Sequence, residues 1–172
     1  MASAGGRAYL RPMTELQILP FSPERAVHFD RINRAWIEAM FVVEEIDDRV
    51  LRDPHTHIID PGGEVLFVAT PELGVVGAGA LKPAGAGAFE LTKMGVDEQA
   101  RGLGAGEALL KALIARAVEM GVRELFLLTN RKCAAAIHLY EKHGFQHSEE
   151  VMRRFGGAYC RCDVSMIWAG GI

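Results

Sequence analysis

The sequence predicts an α/β fold in which a mixed sheet is flanked by helices on both faces. Three observations carry this prediction. Apolar runs of strand length alternate along the chain with segments whose apolar residues recur at helical spacing. Two of those runs, Val65 to Ala69 and Val75 to Leu81, are joined by the turn residues Pro71 to Gly74 as a hairpin. A third run, Glu124 to Thr129, is continuously apolar after its first residue, as expected of a strand covered on both faces.

Composition limits the possible classes. A chain of 172 residues predicts one domain, 1–172, of which about 1–12 are expected to be flexible. The fractions of hydrophobic (49%) and charged (24%) residues suit a globular enzyme, and a net charge of −3 argues against nucleic-acid binding. No apolar stretch reaches the ~18 residues of a membrane span, so we expect no membrane partner. Three cysteines suit a reducing compartment and predict a cytoplasmic protein.

The N-terminal third predicts a strand at Leu16 to Leu19 followed by two helices. The first begins with Ser22 as N-cap and Pro23 at its first position. Its buried face is expected to carry the apolar residues at helical spacing, Phe29, Ile32, Trp36 and Met40. The second opens at the acidic run Glu44 to Asp48 and ends at Asp53-Pro54; His55 to Pro61 is expected to be a loop.

The C-terminal half predicts two more helices, Gly104 to Met120 and Ala134 to Lys142. Gly121 and Gly144 supply the expected stop signals. After a turn at Pro83 to Gly87 comes a central strand, Phe89 to Val96, where Gly95 indicates a bulge or a close approach. The last two strands are predicted at Gln146 to Val151 and Arg161 to Trp168.

The stretch between the central strand and the next helix predicts an anion site. Gly102, Gly104 and Gly106 alternate just before the helical run that starts at Ala108. Such a turn leaves backbone N–H groups unpaired at the positive end of a helix dipole, where a phosphate binds well. The dinucleotide pattern does not fit, because Glu107 and Leu109 stand where its third glycine belongs, and no Gly-Lys-Ser/Thr tripeptide occurs.

Two segments together resemble a known superfamily. Arg101 to Gly106 reads as Arg/Gln-x-x-Gly-x-Gly/Ala, and Ala136 to Phe145 reads as A-I-x-L-Y-E-K-x-G-F. In these motifs the chain resembles the GCN5-related N-acetyltransferases, the GNAT superfamily, over roughly Glu64 to Phe145. The resemblance implies a single GNAT-like domain whose mixed central sheet is mostly antiparallel, with acetyl-CoA as co-substrate and no metal.

The resemblance also implies how the cofactor is held. Backbone amides of Gly102, Leu103, Gly104, Ala105 and Gly106 would hold the pyrophosphate, with Arg101 close by. The pantetheine arm would pair with the central strand near Met94, Gly95 and Val96, where two strands splay apart, and the Val96 amide would support the oxyanion. Cys133 stands where the family usually has asparagine, and Asn130 is a substitute for its hydrogen bond.

Glu90 is the first candidate for the base that deprotonates the acceptor amine. It lies eleven residues before Arg101, and the resemblance assigns it the position of a glutamate base. Strand alternation predicts that it shares a face with Thr92 and Met94. The alternative is a solvated or ion-paired strand glutamate. A rival base lies in the run Glu44 to Asp48, whose charges stabilise a helix start, form an electronegative mouth for a cationic amine, or do both.

Tyr140 is the candidate acid for the leaving thiolate, because the resemblance places the family's acid tyrosine there. The alternative is a tyrosine packed beside Ile137 on the apolar side of its helix. Trp36, Phe41 and Tyr159 either line an acceptor pocket or belong to the core.

Two remaining clusters have weaker interpretations. Arg161 and Asp163 either contact an acceptor carboxylate or form a cross-strand ion pair. His55, His57, Cys160 and Cys162 lack the usual spacing of zinc ligands, so we predict no metal site.

The resulting functional prediction is an acetyl-CoA-dependent N-acetyltransferase that acts on a primary amine of a small or amino-acid-like molecule. A peptide or protein amino group is the competing acceptor. A non-catalytic acetyl-CoA-binding sensor is the competing class, since fold and cofactor loop would be the same. Dimers are frequent in the family, so a homodimer is one expected state.

Overall fold

The computed structural model describes residues 14–170, so the predicted flexible segment at about 1–12 lies outside the described residues. Seven strands form one sheet: β1 Gln17–Pro20, β2 Glu64–Thr70, β3 Gly74–Gly85, β4 Ala88–Val96, β5 Glu124–Thr129, β6 Phe145–His147 and β7 Val164–Trp168. Five α-helices accompany it: α1 Ala26–Met40, α2 Glu45–Arg52, α3 Ala105–Glu119, α4 Ala134–Lys142 and α5 Glu149–Phe155.

The sheet is mixed and mostly antiparallel, as predicted. Its order is β1-β2-β3-β4-β5-β7-β6, and within residues 14–170 the parallel contact is the one between β4 and β5. Helix α3 connects these two strands, which is the crossover that a parallel pair requires. The parallel contact therefore lies at the middle of the sheet.

Helices cover both faces of the sheet. On one face, Leu109, Leu110 and Leu113 of α3 pack with residues such as Leu81 and Leu125 of the strands. Because α3 places these leucines at helical spacing, they form one buried stripe toward the sheet. The exposed residue Lys111 lies between them.

On the opposite face, α1 and α2 bury a second core. Phe29, Ile32 and Ile37 of α1 pack with Leu51 of α2 and Phe67 of β2. The predicted stripe on α1 is correct at Phe29 and Ile32, whereas Trp36 is half-buried and Met40 is exposed. These last two residues lie at the end of α1 that borders the site described below.

Several predicted boundaries were wrong. Residues 149–155 form helix α5, where a strand to Val151 had been predicted, because Ser148 caps the helix by accepting a hydrogen bond from the Val151 amide at 3.2 Å. The last strand starts at Val164 and not at Arg161. Residues His55–Ile59 form a π-helical turn instead of a loop. At the first helix, Pro23–Arg25 is a 3₁₀ turn and α1 follows it.

The hairpin between β3 and β4 is longer than predicted. Strand β3 continues to Gly85, and Pro83 pairs with Phe89 inside the ladder. The reversal is made by Ala86 and Gly87, whose φ angles are 52° and 81°.

Among the described residues, no helix combines the length and the apolar character needed to cross a membrane.

Candidate active site

The centre of the site is the opening between β4 and β5. The two strands pair only from Ala88 to Glu90 with Glu124 to Phe126, and beyond this point they separate. A cavity of about 280 Å³ fills the opening. Its walls come from β4, β5, the C-terminal end of α1, the start of α4 and the loop before β7: Trp36, Met40, Phe41, Leu91, Thr92, Lys93, Met94, Leu127, Leu128, Thr129, Asn130, Lys132, Cys133, Ala134, Ala135, Ala136, Tyr140, Tyr159, Arg161 and Cys162.

A bulge in β4 reorganises the wall of this cavity. Thr92 pairs with Ala80 and Gly95 with Ala78, so Lys93 and Met94 together oppose one residue of β3. Lys93 has a φ of 50°, an unusual conformation for a residue with a Cβ. The bulge turns Met94 toward the α3 core, which also contains Leu91. Strict alternation was therefore wrong: Glu90 shares its face with Thr92 but not with Met94.

Gly95 is required by a neighbouring side chain. A Cβ at Gly95 would collide with the indole ring of Trp36. The predicted close approach is thus real, but it comes from α1, and the bulge lies at Lys93 rather than at Gly95.

The Val96 amide faces the opening. Asp97 N donates to Val76 O at 2.7 Å, which makes that pair a hydrogen-bonded one in the ladder with β3. Hydrogen-bonded and non-hydrogen-bonded pairs alternate in antiparallel sheets, so Val96 directs its N–H away from β3. On that side β5 no longer pairs with β4. The hydrogen-bonding pattern between β3 and β4 therefore leaves the Val96 N–H as a free donor at the opening.

The glycine loop, residues 101–106, has the geometry that the sequence predicts. Gly102 and Gly104 have φ angles of 80° and 78°, so each occupies the left-handed region that favours glycine. Gly104 is the N-cap of α3, and no side chain caps this helix. The amides of Ala105 and Gly106 therefore lack intrahelical acceptors and lie at the positive end of the helix dipole.

Gly106 differs from the other two glycines. Its φ is not positive, and a Cβ there would meet Val96 and Leu139 at ordinary distances of 3.7 and 3.9 Å. The protein alone therefore does not demand glycine at this position. The contacts also place the start of α3 beside the end of β4 and beside α4.

The other predicted cofactor residues occupy different environments. Arg101 is exposed, and its Nη1 atom lies 3.6 Å from Glu98 Oε1. Cys133 lines the cavity at the N-terminus of α4. Asn130 uses both ends of its amide within the protein, because Nδ2 donates to Arg161 O at 2.7 Å and Oδ1 accepts from Lys132 N at 2.9 Å. The amide keeps a second Nδ2 hydrogen and a second Oδ1 lone pair, so the predicted substitution of Asn130 for the family asparagine stays a prediction.

Tyr140 is buried at the cavity wall and packs edge-on against Phe145 at 5.8 Å. Its hydroxyl makes no hydrogen bond to the described residues. Burial raises the pKa of this phenol above its ordinary value, with a smaller contribution from Cys133. Tyr140 therefore presents a neutral O–H to the cavity.

Glu90 is buried in β4 and is absent from the described residues that line the cavity. Burial raises the pKa of its carboxyl, although Lys93, Lys82 and the hydroxyls of Tyr159 and Thr92 act in the opposite direction. The alternative of a solvated glutamate is therefore wrong. Burial makes this carboxyl a stronger base than an exposed glutamate.

A charge cluster contributes Lys93, Tyr159 and Arg161 to the cavity wall. We call it the Asp47 cluster: Glu44, Asp47, Lys93, Tyr159 and Arg161. Asp47 is fully buried, and its carboxylate lies 2.9 Å from Lys93 Nζ. Arg161 donates to both of its oxygens, at 2.6 and 2.8 Å. The cluster therefore connects α2, the β4 bulge and the loop before β7.

This cluster removes the acidic run as a source of the base. Burial would raise the pKa of Asp47, but the hydrogen bond from Arg161 and the charge of Lys93 outweigh it and lower the pKa to about 2. Glu44 accepts from Cys160 N at 2.9 Å and from Arg161 at 3.1 Å. Asp48 pairs with Arg34 and Arg52. These contacts support the interpretation in which the charges stabilise helix α2, where Glu44 and Asp47 form a capping box, and the electronegative mouth stays a prediction.

The remaining candidates are also resolved by these contacts. Arg161 binds carboxylates of its own chain, while Asp163 pairs separately with Arg131 at 2.9 Å. Lys93 was missed by sequence reasoning. The one available signal was a lysine in the predicted central strand of the sheet, since lysine is almost never fully buried without a partner.

The fold and the site define an α/β protein in which a glycine-rich helix start with free backbone amides lies beside a cleft between two splayed strands. The model of the acetyltransferase (GNAT) domain matches residues 62–147, half of the chain. The chain belongs to the GNAT acetyltransferase family.

Individual proteins support this assignment. A mycothiol acetyltransferase from Geodermatophilus obscurus is 36% identical over 66 residues, which cover 38% of this chain and 21% of that protein. The chain thus matches about a fifth of the length of this curated relative. The solved GNAT acetyltransferase from Staphylococcus aureus Mu50 has a TM-score of 0.80 at 18% identity, covering 90% of this chain and 98% of that one.

A GNAT family acetyltransferase from Elizabethkingia anophelis, solved with acetyl-CoA bound, has a TM-score of 0.63 at 18% identity. It covers 88% of this chain and 94% of that one. At such identities the likeness of the two solved structures establishes the fold.

Proposed function

We propose that the protein transfers the acetyl group of acetyl-CoA directly to a primary amine of a small or amino-acid-like acceptor. The observation that carries this proposal is the cleft between β4 and β5, which has Tyr140 on its wall and the Val96 amide at its open strand edge. Family membership and the acetyl-CoA-bound relative support the choice of donor.

The chain's residues fit such a donor. The left-handed glycines Gly102 and Gly104 hold a loop with nothing within 4 Å of a Cβ added at either position, which leaves room for a phosphate. The free amides of Ala105 and Gly106 at the start of α3 would bind it. Arg101 and Leu103 complete the loop. The pantetheine arm of the donor would then pass along Met94, Gly95, Val96 and Cys133.

Burial supports the roles of Glu90 and Tyr140, and the strand ladder supports that of Val96. Glu90 accepts the proton that the acceptor ammonium must lose, because burial raises the pKa of its carboxyl and makes it a stronger base than an exposed glutamate. The Val96 amide stabilises negative charge on the acetyl oxygen. Tyr140, a neutral phenol, gives a proton to the leaving thiolate.

The acceptor is proposed to be small because the cavity is only about 280 Å³ and is closed by Trp36 and Phe41 on one side. A small opening favours a compact amine over a peptide segment. The walls beside α1 are aromatic, so an amine with an apolar body fits better than a highly charged one.

The first experiment is calorimetric titration with acetyl-CoA, followed by a thiol-release assay on a panel of amines, amino acids and short peptides. Binding together with thiol release on a small amine is the expected result. Thiol release with peptides alone would show that the acceptor is a peptide amino group and not a small amine. Binding without release on any acceptor would favour a sensor, and absence of binding would contradict the proposal.

A further inference from the structure

A shallow groove adjoins the cavity between β4 and β5 on the side of α1. Both concavities are lined by Met40, Phe41, Lys132 and Arg161, so the two meet at these side chains. We call the second concavity the outer groove; it extends past these four residues along the end of α1 to Glu38 and Val42. An acceptor whose amine lies in the cavity therefore has a defined space for the rest of its body.

The outer groove has an apolar side. Met40 and Val42 have exposed fractions of 39% and 80%, which is unusual for large apolar residues in this chain. Phe41 lies between them in the sequence, is half-buried and lines both concavities. Single exposed apolar side chains are ordinary, but three consecutive ones at the mouth of a cavity form a surface that an apolar ligand can cover.

Two of the cations at the cavity wall are neutralised by the protein itself. Lys93 Nζ lies 2.9 Å from the Asp47 carboxylate. Arg161 Nη1 lies 2.6 Å from Asp47 and 3.1 Å from Glu44. Two cations thus face two carboxylates, and these contacts leave neither cation free to recruit a charged group of the acceptor.

Lys132 is different, because it forms no ion pair with the residues that the structure describes. The adjacent Arg131, in contrast, pairs with Asp163 at 2.9 Å. The Lys132 backbone N–H donates to Asn130 Oδ1 at 2.9 Å, which fixes the turn that carries it. Its Nζ lies 5.6 Å from the centroid of the Phe41 ring. An uncompensated cation therefore stands where the body of an acceptor leaves the cavity.

We propose that Lys132 determines acceptor specificity by binding a carboxylate, and that the acceptor is an amino acid with an apolar side chain. The amine lies in the cavity, the carboxylate lies at Lys132, and the side chain covers Met40, Phe41 and Val42. A cation and a carboxylate attract each other more strongly at a partly apolar mouth than in bulk water. The inference rests on the proposed function and names the substrate class of the same site.

Glu38 defines the competing interpretation. It is exposed and lines the outer groove but not the cavity, whereas Lys132 lines both. The carboxylate of an amino acid is close to the reacting nitrogen, so it lies nearer to Lys132 than to Glu38. A second ammonium on a longer acceptor would instead be attracted to Glu38. A diamine is therefore the rival acceptor that the experiment includes.

Matched acceptors test the inference in the thiol-release assay. Leucine and isoamylamine differ only by the carboxylate, as do phenylalanine and phenethylamine, and cadaverine supplies a second ammonium. Lys132→Met keeps an unbranched apolar side chain and removes the charge. We expect it to raise KM about tenfold for the two amino acids with kcat within about threefold, and to change KM for the two monoamines by less than about twofold. Comparison with wild type on the same acceptor cancels differences in amine basicity.

Lys111→Met is the matched control, because Lys111 is an exposed lysine of α3 that lines neither concavity. It should leave KM for every acceptor within about twofold of wild type. Lys132→Glu should raise KM for the amino acids and lower it for cadaverine. Equal changes on amino acids and monoamines in Lys132→Met, the same loss in Lys111→Met, or a wild-type preference for the monoamines or cadaverine would overturn the inference.

Equilibrium binding separates this inference from the proposed function. Calorimetry measures the Kd of leucine and phenylalanine in the presence of CoA, which carries no acetyl group to transfer. Lys132→Met should weaken this binding about tenfold. That result in a protein that acetylates no amine would keep the carboxylate site and refute the activity. Acetylation of amines by a protein that binds neither amino acid, or whose Kd values Lys132→Met leaves unchanged, would keep the activity and refute the carboxylate site.

Discussion

The glycine loop and the Asp47 cluster both border the opening between β4 and β5, but they are built in different ways. The loop is made from six consecutive residues, and its proposed role depends on backbone angles and free amides. The cluster joins Asp47 to Arg161, which are 114 residues apart in the chain, through hydrogen bonds to a fully buried carboxylate. The loop can therefore be recognised as a local pattern, whereas the cluster exists only when three elements have packed together.

The largest expected effect is the loss of stability on removing the central carboxylate of the Asp47 cluster. Asp47→Asn leaves the buried Lys93 without its carboxylate and Arg161 with Glu44 alone, and the free energy of unfolding should fall by about 3–5 kcal/mol. Urea denaturation measures this loss. Glu45→Gln is the control, because Glu45 forms an exposed pair with Arg49 on the same helix and should change stability by less than about 1 kcal/mol. Similar losses for both variants would contradict the distinction between the clustered and exposed charges.

The same cluster predicts an acid limb in stability. The pKa of Asp47 is about 2 in the folded protein, below its usual 3.8. The folded state therefore binds fewer protons here than the unfolded state, so this stabilisation is complete above about pH 4 and is lost as the pH falls toward 2. Urea midpoints measured at several acidic pH values should show a shallower fall for Asp47→Asn than for wild type.

The next effect concerns chemistry rather than folding. Tyr140→Phe removes the proposed acid without leaving a cavity, so kcat should fall about 10²-fold while acetyl-CoA affinity stays within about threefold. Thiol release and calorimetry measure the two quantities. A loss of affinity without a loss of kcat would assign Tyr140 to binding.

Glycine substitutions distinguish backbone strain from ligand approach within the loop. Gly104→Ala forces a Cβ into a left-handed conformation and should lower stability by about 1–2 kcal/mol. Gly106→Ala is sterically tolerated by the protein and should not destabilise it. If a phosphate approaches the start of α3, acetyl-CoA affinity should nevertheless fall for Gly106→Ala. Unchanged affinity would show that the ligand does not approach this Cβ.

The smallest effect separates stability from activity at Glu90. Glu90→Gln removes a buried carboxylate whose pKa is raised mainly by burial, so stability at pH 7 should rise by about 1 kcal/mol. The sign follows from linkage, because the folded state binds more protons than the unfolded state above pH 4.5. Urea denaturation at pH 7 and at pH 4 should show the gain only at the higher pH, whereas a gain at both would indicate a packing effect.

Much of the fold could be predicted because it depends on patterns of residues that are close together in the chain. The leucine stripe of α3, the apolar β5 and the glycine loop follow from periodicity and turn chemistry. The errors have local causes too. Residues 149–151 look like a strand continuing from Gln146. However, the Ser148 hydroxyl accepts a hydrogen bond from the Val151 amide and caps the start of α5. Alternation failed in β4 because one extra residue at Lys93 changes which face each later side chain occupies.

The sequence by itself determined the family, the α/β class, the glycine-rich helix start and the identity of Tyr140 as a candidate, because each of these depends on residues close together in the chain. Only the tertiary structure decided what the charges do. It paired Asp47 with Lys93 and Arg161, buried Glu90 and placed Tyr159 at the cavity wall. The burial of a charge and the choice of its partner depend on distant segments packing together, and no local pattern encodes that outcome.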